Sequence, residues 1–127
     1  MPKSKHAVPE EFREKIAVQN SPWGNFTSYP REEVASIKII TVDPGGILSL
    51  QYHNNRDEFW VILDDGLEVT VGENTWRTTA GEELWITRGV KHRVKCVADS
   101  PARFFELWIG ESSESDIVRI EDEYGRK

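Results

Sequence analysis

The sequence has 127 residues and contains a single cysteine, three histidines and no long apolar run. One cysteine, Cys96, cannot form a disulfide within the chain, so a disulfide-stabilised fold is excluded. A membrane-spanning helix needs about 20 consecutive apolar residues, and the apolar runs here are only a few residues long. The first residues, MPKSKHAVPEEFREK, also lack the apolar segment of a secretory signal. We therefore expect a soluble cytoplasmic protein with no membrane partner.

Positive charge is scarce as well. The chain has 16 lysines and arginines against 22 aspartates and glutamates, which gives a net charge of −6. Nucleic-acid binding requires clustered cations that neutralise phosphates, and no basic stripe stands out in this sequence. We do not expect a nucleic-acid partner.

The residues that are present favour one folded domain. Hydrophobic residues make up 38% of the chain and aromatic residues 10%, which is unlike a disordered chain. Residues 1–20 are polar and are predicted to form an N-terminal arm, and residues 21–127 the domain. Within the arm, PEEFREKI is either a short helix or a solvated segment, since Pro9 and the glutamates after it suit a first helical turn.

Eight short β-rich runs follow from Ile37, spaced about ten residues apart and separated by Gly, Asp and Asn turn signals. No helical pattern lies between them, so we predict an all-β antiparallel sandwich or barrel. The tail SESDIVRIEDEYGRK is either a short edge strand followed by a turn or a frayed end. The eight runs are IKIITV, ILSLQYH, EFWVIL, LEVTV, TWRTT, ELWIT, HRVKCV and ARFFELWI.

A cluster of candidate metal ligands lies on these runs. Alternate strand residues share a face, so Gln51 and His53 point the same way. The HNNRD segment is a predicted turn that brings Glu58 back to the same interior, and His92 opens a later strand. Two imidazoles, a carboxylate and an amide oxygen suit zinc, iron, manganese, cobalt or nickel, so we predict a site for one divalent ion. Lys91 and Arg93 alternate with His92 and are expected to face away from it.

The spacing of these residues resembles the two signature motifs of the cupins. A glutamine in place of the first histidine is similar to the mannose-6-phosphate isomerases, whose metal ligands are glutamine, histidine, glutamate and histidine. The resemblance implies a single cupin domain, a double-stranded β-helix or jelly-roll barrel. The matching positions are Gly45, Gln51, His53 and Glu58 in the first motif, and Gly81, Thr87, Gly89 and His92 in the second.

The chain further resembles the isomerase domain of the type II, bifunctional mannose-6-phosphate isomerase/mannose-1-phosphate guanylyltransferases. The resemblance runs from about Ser21 to the end of the sequence. The guanylyltransferase half has no counterpart in these residues, so the isomerase domain is expected to stand alone, without nucleotidyl transfer. The stretches that carry the resemblance are PWG, Lys38, LSLQ-x-H, R-x-E-x-W, GVKHR and DIVRIEDEYGR.

This resemblance implies a metal-dependent aldose–ketose isomerase that interconverts mannose 6-phosphate and fructose 6-phosphate through a cis-enediol. One divalent ion is expected, zinc first and manganese, iron, cobalt or nickel as alternatives. Lys38 either snorkels at a sheet edge or points into the barrel, where it and Arg126 are the predicted catalytic residues, with Glu121 or Glu123 as alternative bases. Arg56 and Arg126 are expected to bind the sugar phosphate.

Some positions depart from the family. Histidines are common there where this chain has Asn54, Asn55 and Phe59, and such histidines help to bind substrate or to move protons. Two alternatives therefore stay open: a metal-binding cupin of other chemistry, such as a dioxygenase or another sugar isomerase, and a non-catalytic sugar-binding module. An edge strand or the N-terminal arm is expected to pair with a second copy in a homodimer.

Overall fold

The computed structural model describes residues 7–126. Residues 1–6 of the predicted arm and residue 127 lie outside the described residues. Among the described residues no helix is both long enough and apolar enough to cross a membrane. The elements are the helical turn α1 (Glu10–Arg13) and the strands β1 (Ala17–Ser21), β2 (Gly24–Ser28), β3 (Val34–Val42), β4 (Leu50–Tyr52), β5 (Asp57–Ile62), β6 (Leu67–Val71), β7 (Asn74–Arg77), β8 (Glu83–Ile86), β9 (His92–Cys96), β10 (Ala102–Ile109) and β11 (Val118–Glu121).

Two antiparallel sheets pack face to face as a β-sandwich, which confirms the predicted fold class. One sheet has the order β3-β10-β5-β8 and the other β11-β4-β9-β6-β7. Their inner faces share one apolar core, in which the rings of Trp60 and Phe104 lie 4.6 Å apart. Val69 and Val94, both fully buried, come from the opposite sheet. Alternating inward residues of both sheets thus build the interior.

All eight predicted strands are present, and the tail adds β11 as the edge strand of the five-stranded sheet. The strand β4 is shorter than its apolar run. Ile47 forms only an isolated bridge with Lys95, and Leu48 donates its N–H to Val94 O at 2.8 Å. The chain therefore reaches β9 irregularly before regular pairing begins at Leu50.

The N-terminal segment covers the outer face of the four-stranded sheet. The ring of Phe12 in α1 lies 5.0 Å from the rings of both Phe59 and Trp85, and Val8 is buried beside them. The helix alternative is therefore the correct one for PEEFREKI. The sequence did not predict the hairpin β1–β2, whose residues are nearly all exposed and show no apolar alternation. The division at residue 20 stays a prediction.

Candidate metal centre

A cavity of about 290 Å³ lies between the two sheets, close to the lower end of the range of about 300–1,000 Å³ for small-molecule sites. It receives side chains from both sheets and from the segment that precedes β11. All seven residues that the sequence selected as site residues line this one cavity: Lys38, Gln51, His53, Arg56, Glu58, His92 and Arg126. Their chemical roles stay predictions.

Three buried side chains form a potential metal centre at the base of the cavity. One ligand atom each from His53, Glu58 and His92 lies within 4.8 Å of the other two. Gln51 on β4 is directly opposite His92 on β9, so their side chains leave the same face of the sheet. The short turn between β4 and β5 brings Glu58 back to this interior from the facing sheet.

Hydrogen bonds determine the tautomers of both histidines. His53 Nδ1 lies 2.7 Å from Asp116 O, and His92 Nδ1 lies 3.0 Å from Val90 O. Because a carbonyl oxygen only accepts, both Nδ1 atoms carry the proton and donate it. Each Nε2 is therefore left with a lone pair, 3.1 Å from Glu58 Oε2 for His53 and 3.9 Å from Glu58 Oε1 for His92. This is the tautomer that binds a metal through Nε2.

The protonation states of the cluster also suit a cation. Burial lowers the pKa of both His53 and His92 below the ordinary value, which keeps the imidazoles neutral. Burial raises the pKa of Glu58, whereas the charges of His92 and His53 in their protonated forms and the hydrogen bond from Arg56 lower it, and the lowering prevails. When both imidazoles are neutral, Arg56 is the permanent cation that keeps Glu58 ionised. The centre thus offers two neutral nitrogens and one carboxylate.

Arg56 is a buried part of this centre. Its Nε donates to Glu58 Oε2 at 2.8 Å, and its Nη2 donates to His53 Nε2 at 3.1 Å. Nη1 donates to Ser112 Oγ at 3.0 Å, and the guanidinium lies 3.5 Å from the ring centroid of Trp108. A metal ion at His53 Nε2 would replace the contact with Nη2, since that nitrogen has one lone pair. With that exchange, the donor set fits a divalent ion.

The mouth of the cavity carries several charged side chains. Lys38 Nζ forms an ion pair with Glu114 Oε1 at 2.6 Å and lies 4.1 Å from the centroid of the Trp108 ring. The prediction that Arg93 faces away is wrong, because Arg93 lines the cavity, where its Nε donates to Leu48 O at 3.0 Å. Arg126 pairs with Asp122, with 2.9 Å between Nε and Oδ2.

Three further residues belong to the site and were not predicted from the sequence. Glu106 and Arg119 line the cavity, and the Nε of Arg119 is buried without a hydrogen-bond partner among the described residues. Asp116 holds His53 through its carbonyl oxygen. Glu106 could have been found from the sequence, because alternation in ARFFELWI places this charged residue on the same strand face as the apolar residues Phe104 and Trp108. Neither alternative base, Glu121 or Glu123, is among the residues that line the cavity.

Known proteins are similar to this chain in sequence or in fold. The model of the mannose-6-phosphate isomerase C-terminal family matches residues 10–122. The xanthan biosynthesis protein XanB of Xanthomonas campestris pv. campestris is 41% identical over 106 residues, which are 83% of this chain and 23% of that protein. Mannose-1-phosphate guanylyltransferase 2 of Escherichia coli O157:H7 is 35% identical over 104 residues, 81% of this chain and 22% of that protein.

The chain thus spans about a fifth of the length of these relatives. Among solved structures, the cupin domain of Schizosaccharomyces pombe Cnp3 has a TM-score of 0.58 and 14% identity, and the match covers 76% of this chain and 64% of that one. At this low identity, the structural similarity shows a shared fold only. Because the family model matches nearly all described residues, the chain belongs to the mannose-6-phosphate isomerase C-terminal family and has the cupin fold.

Proposed function

We propose that this protein is a metal-dependent aldose–ketose isomerase that interconverts mannose 6-phosphate and fructose 6-phosphate. The observation that carries the proposal is the cavity, which combines a His–Glu–His cluster with several cationic side chains. The first group suits a divalent ion beside sugar oxygens, and the second suits a phosphate. Membership in the isomerase C-terminal family supports the same substrate class.

Four side chains would hold the ion: Gln51, His53, Glu58 and His92. Zinc is our first choice, because two imidazole nitrogens and one carboxylate are ligands that zinc favours, and manganese, iron, cobalt and nickel are alternatives. The ion would supply Lewis-acid stabilisation of the negative charge that develops on two adjacent sugar oxygens. The buried Arg56 keeps Glu58 ionised for this role.

The phosphate would lie toward the cavity mouth, where a guanidinium can offer parallel donors. Arg126 retains its predicted role there, and Arg119 joins it because its Nε has no acceptor among the described residues. Arg56 would have to give up buried hydrogen bonds to Glu58, His53 or Ser112 before it could bind a phosphate. We therefore assign the phosphate to Arg119 and Arg126 and a supporting role at the metal centre to Arg56.

Activity can be tested with a coupled assay for fructose 6-phosphate formation, run on protein that was stripped of metal and then reloaded with one divalent ion. We expect turnover by the wild type and none by H53A or H92A, because each variant loses a metal ligand. The exposed Glu73 provides a control, E73Q, that should act like the wild type. Binding of the sugar phosphate without turnover would contradict the isomerase and support the alternative of a non-catalytic sugar-binding module.

Measuring oxygen uptake distinguishes the proposed isomerase from a dioxygenase. A dioxygenase would purify with redox-active iron and consume oxygen, whereas the isomerase needs neither. We expect no oxygen uptake with any of the divalent ions. The cytoplasmic location and the homodimer remain proposals, and size-exclusion chromatography with light scattering would test the homodimer.

A further inference from the structure

We propose that Glu106 carries the proton between C2 and C1 of the sugar, an inference that rests on the proposed isomerase function. Glu106 lies near the middle of β10, is only 6% exposed and lines the cavity. It is directly opposite Lys38 on β3 and Trp60 on β5. Residues that are directly opposite each other share a face, so the carboxyl group leaves the sheet on the side of the metal centre.

The contacts of Glu106 leave part of its carboxyl group available to a ligand. Trp108 Nε1 donates a hydrogen bond to Glu106 Oε1 at 2.5 Å. Among residues 7–126, this is the only hydrogen bond that the Glu106 side chain makes. The second carboxyl oxygen therefore accepts no hydrogen bond from the described residues. A carboxyl group held at one oxygen and available at the other can exchange a proton with a bound sugar.

The other carboxylates that line the cavity already have partners. Glu58 accepts hydrogen bonds from Arg56 and Trp60 and belongs to the metal cluster. Glu114 is exposed and pairs with Lys38. A metal ligand uses its lone pair on the ion and is a poor proton acceptor, so Glu106 is the buried carboxyl group that remains for proton transfer.

The environment of Glu106 also favours proton transfer. Burial and the charge of Glu58 raise the pKa of Glu106 to about 8. A group that titrates close to neutral pH both accepts and returns a proton readily. Lys38, on the neighbouring strand, is a cation paired with Glu114 and is better suited to stabilise charge on the substrate.

The two half-reactions balance with solvent water as the only other proton carrier. In the first, the C2–H bond breaks, an O–H bond forms on the ionised Glu106, the electron pair becomes the C1–C2 double bond, and the carbonyl oxygen at C1 takes up a proton from water. In the second, the hydroxyl at C2 loses a proton to water and becomes a carbonyl group. The C1–C2 electron pair then takes the proton back from Glu106 to form the new C1–H bond, so the proton gained at O1 equals that lost at O2.

The test compares E106Q with wild type and E73Q, after each protein has been loaded with the same divalent ion. We expect E106Q to lose kcat by about 10²–10⁴-fold, the usual contribution of a positioned acid or base. It should also stop the exchange of the substrate C2 proton with deuterium oxide, followed by NMR. Cobalt(II) titration, read from its visible absorption, should give the same affinity within about twofold, because Glu106 is not a ligand in this proposal.

A conservative variant guards against a purely structural effect. E106D keeps a carboxyl group but shortens the side chain by one methylene. It should retain a measurable part of the C2 proton exchange, whereas E106Q should have none. Unchanged turnover and exchange in E106Q would overturn the role of Glu106 and leave the isomerase intact. Loss of cobalt binding in E106Q would also overturn it, since the residue would then belong to the metal centre. An inactive wild type that binds its metal would overturn the isomerase itself, and this inference with it.

Discussion

Asp116 connects the loop before β11 to the metal cluster through both its backbone and its side chain. Its carbonyl oxygen accepts the Nδ1–H of His53 at 2.7 Å. Its carboxylate accepts the backbone N–H groups of Asn54 and Asn55, at 2.9 and 3.0 Å, and the hydroxyl of Ser112 at 2.7 Å. One residue thus fixes both the ring of His53 and the turn that follows it.

Replacing Asp116 should therefore weaken metal binding without removing a ligand. D116A keeps the backbone carbonyl that accepts the Nδ1–H of His53 but loses the carboxylate that fixes the turn after it. We therefore expect it to bind zinc or cobalt about 10-fold more weakly, the lower end of the loss for groups that orient a ligand. Isothermal titration on metal-free protein measures this difference. D99A, at an exposed aspartate, is the control and should match the wild type. Equal affinities for D116A and D99A would mean that the turn holds His53 without the carboxylate.

The histidine pKa values predict how metal binding depends on pH. Burial lowers the pKa of His53 and His92 below the ordinary value of 6.5. Protonation of an imidazole removes the lone pair that binds the ion, so affinity should fall only when the pH drops below about 6.5. Zinc titrations at several pH values should give nearly constant affinity down to pH 6.5 and a loss only at lower pH. A loss that begins above pH 7 would contradict neutral, buried histidines.

Residue spacing was enough to select the cluster, because strand alternation and one turn place Gln51, His53 and Glu58 on a common interior. The same rule failed for Arg93. Alternation gives the direction of the Cβ atom, whereas a long guanidinium side chain can fold back, here to Leu48 O. Asp116 could not be found from spacing, since it acts across more than 60 positions in the sequence.

At the level of elements, β10 is the central support of the site. It pairs with β3 on one side and β5 on the other, and it places Glu106 between Lys38 and Trp60. Its inward residue Phe104 is fully buried against Trp60. The outward residue Leu107 packs in the second cluster, with Phe12 of α1. Both faces of this strand therefore pack in buried apolar clusters and stabilise the fold.

Truncating the inward aromatic of β10 should be costly. We expect F104A to lower the free energy of unfolding by about 3–5 kcal/mol, the range for a buried phenylalanine that leaves a cavity. Urea denaturation followed by tryptophan fluorescence provides the measurement. F26A removes the same atoms at a residue that is 44% exposed and should cost less than about 1 kcal/mol. Similar losses for both variants would argue against a core built on Phe104.

Strands were predictable where an apolar run ended at a strong turn signal, as β5 does before Asp64-Asp65-Gly66. The hairpin β1–β2 was not, because its strands are exposed and lack the alternation that marks a half-buried strand. Its Val18 is 62% exposed. The pairing is local, between consecutive segments, and depends on backbone hydrogen bonds rather than on apolar burial.

On the scale of the whole molecule, the metal cluster joins the two sheets of the sandwich. Glu58 comes from the four-stranded sheet, and Gln51 and His92 come from the five-stranded sheet. A bound ion would therefore connect both layers through the centre of the fold. The all-β class and the position of this site were predictable from the sequence because the family motifs span both sheets. The packing of α1 on the outer face was not, since a single helical turn has too few residues for a periodic pattern.

Titration of zinc into metal-free protein tests the central claim most directly, with H92A as the matched variant. We predict one equivalent of tightly bound zinc per wild-type chain and no tight binding by H92A, because the histidine supplies one of the two nitrogen ligands. H92A should remain folded by circular dichroism, so that the loss is one of binding. No binding by the folded wild type with zinc, manganese, iron, cobalt or nickel, or equal binding by H92A, would contradict the account.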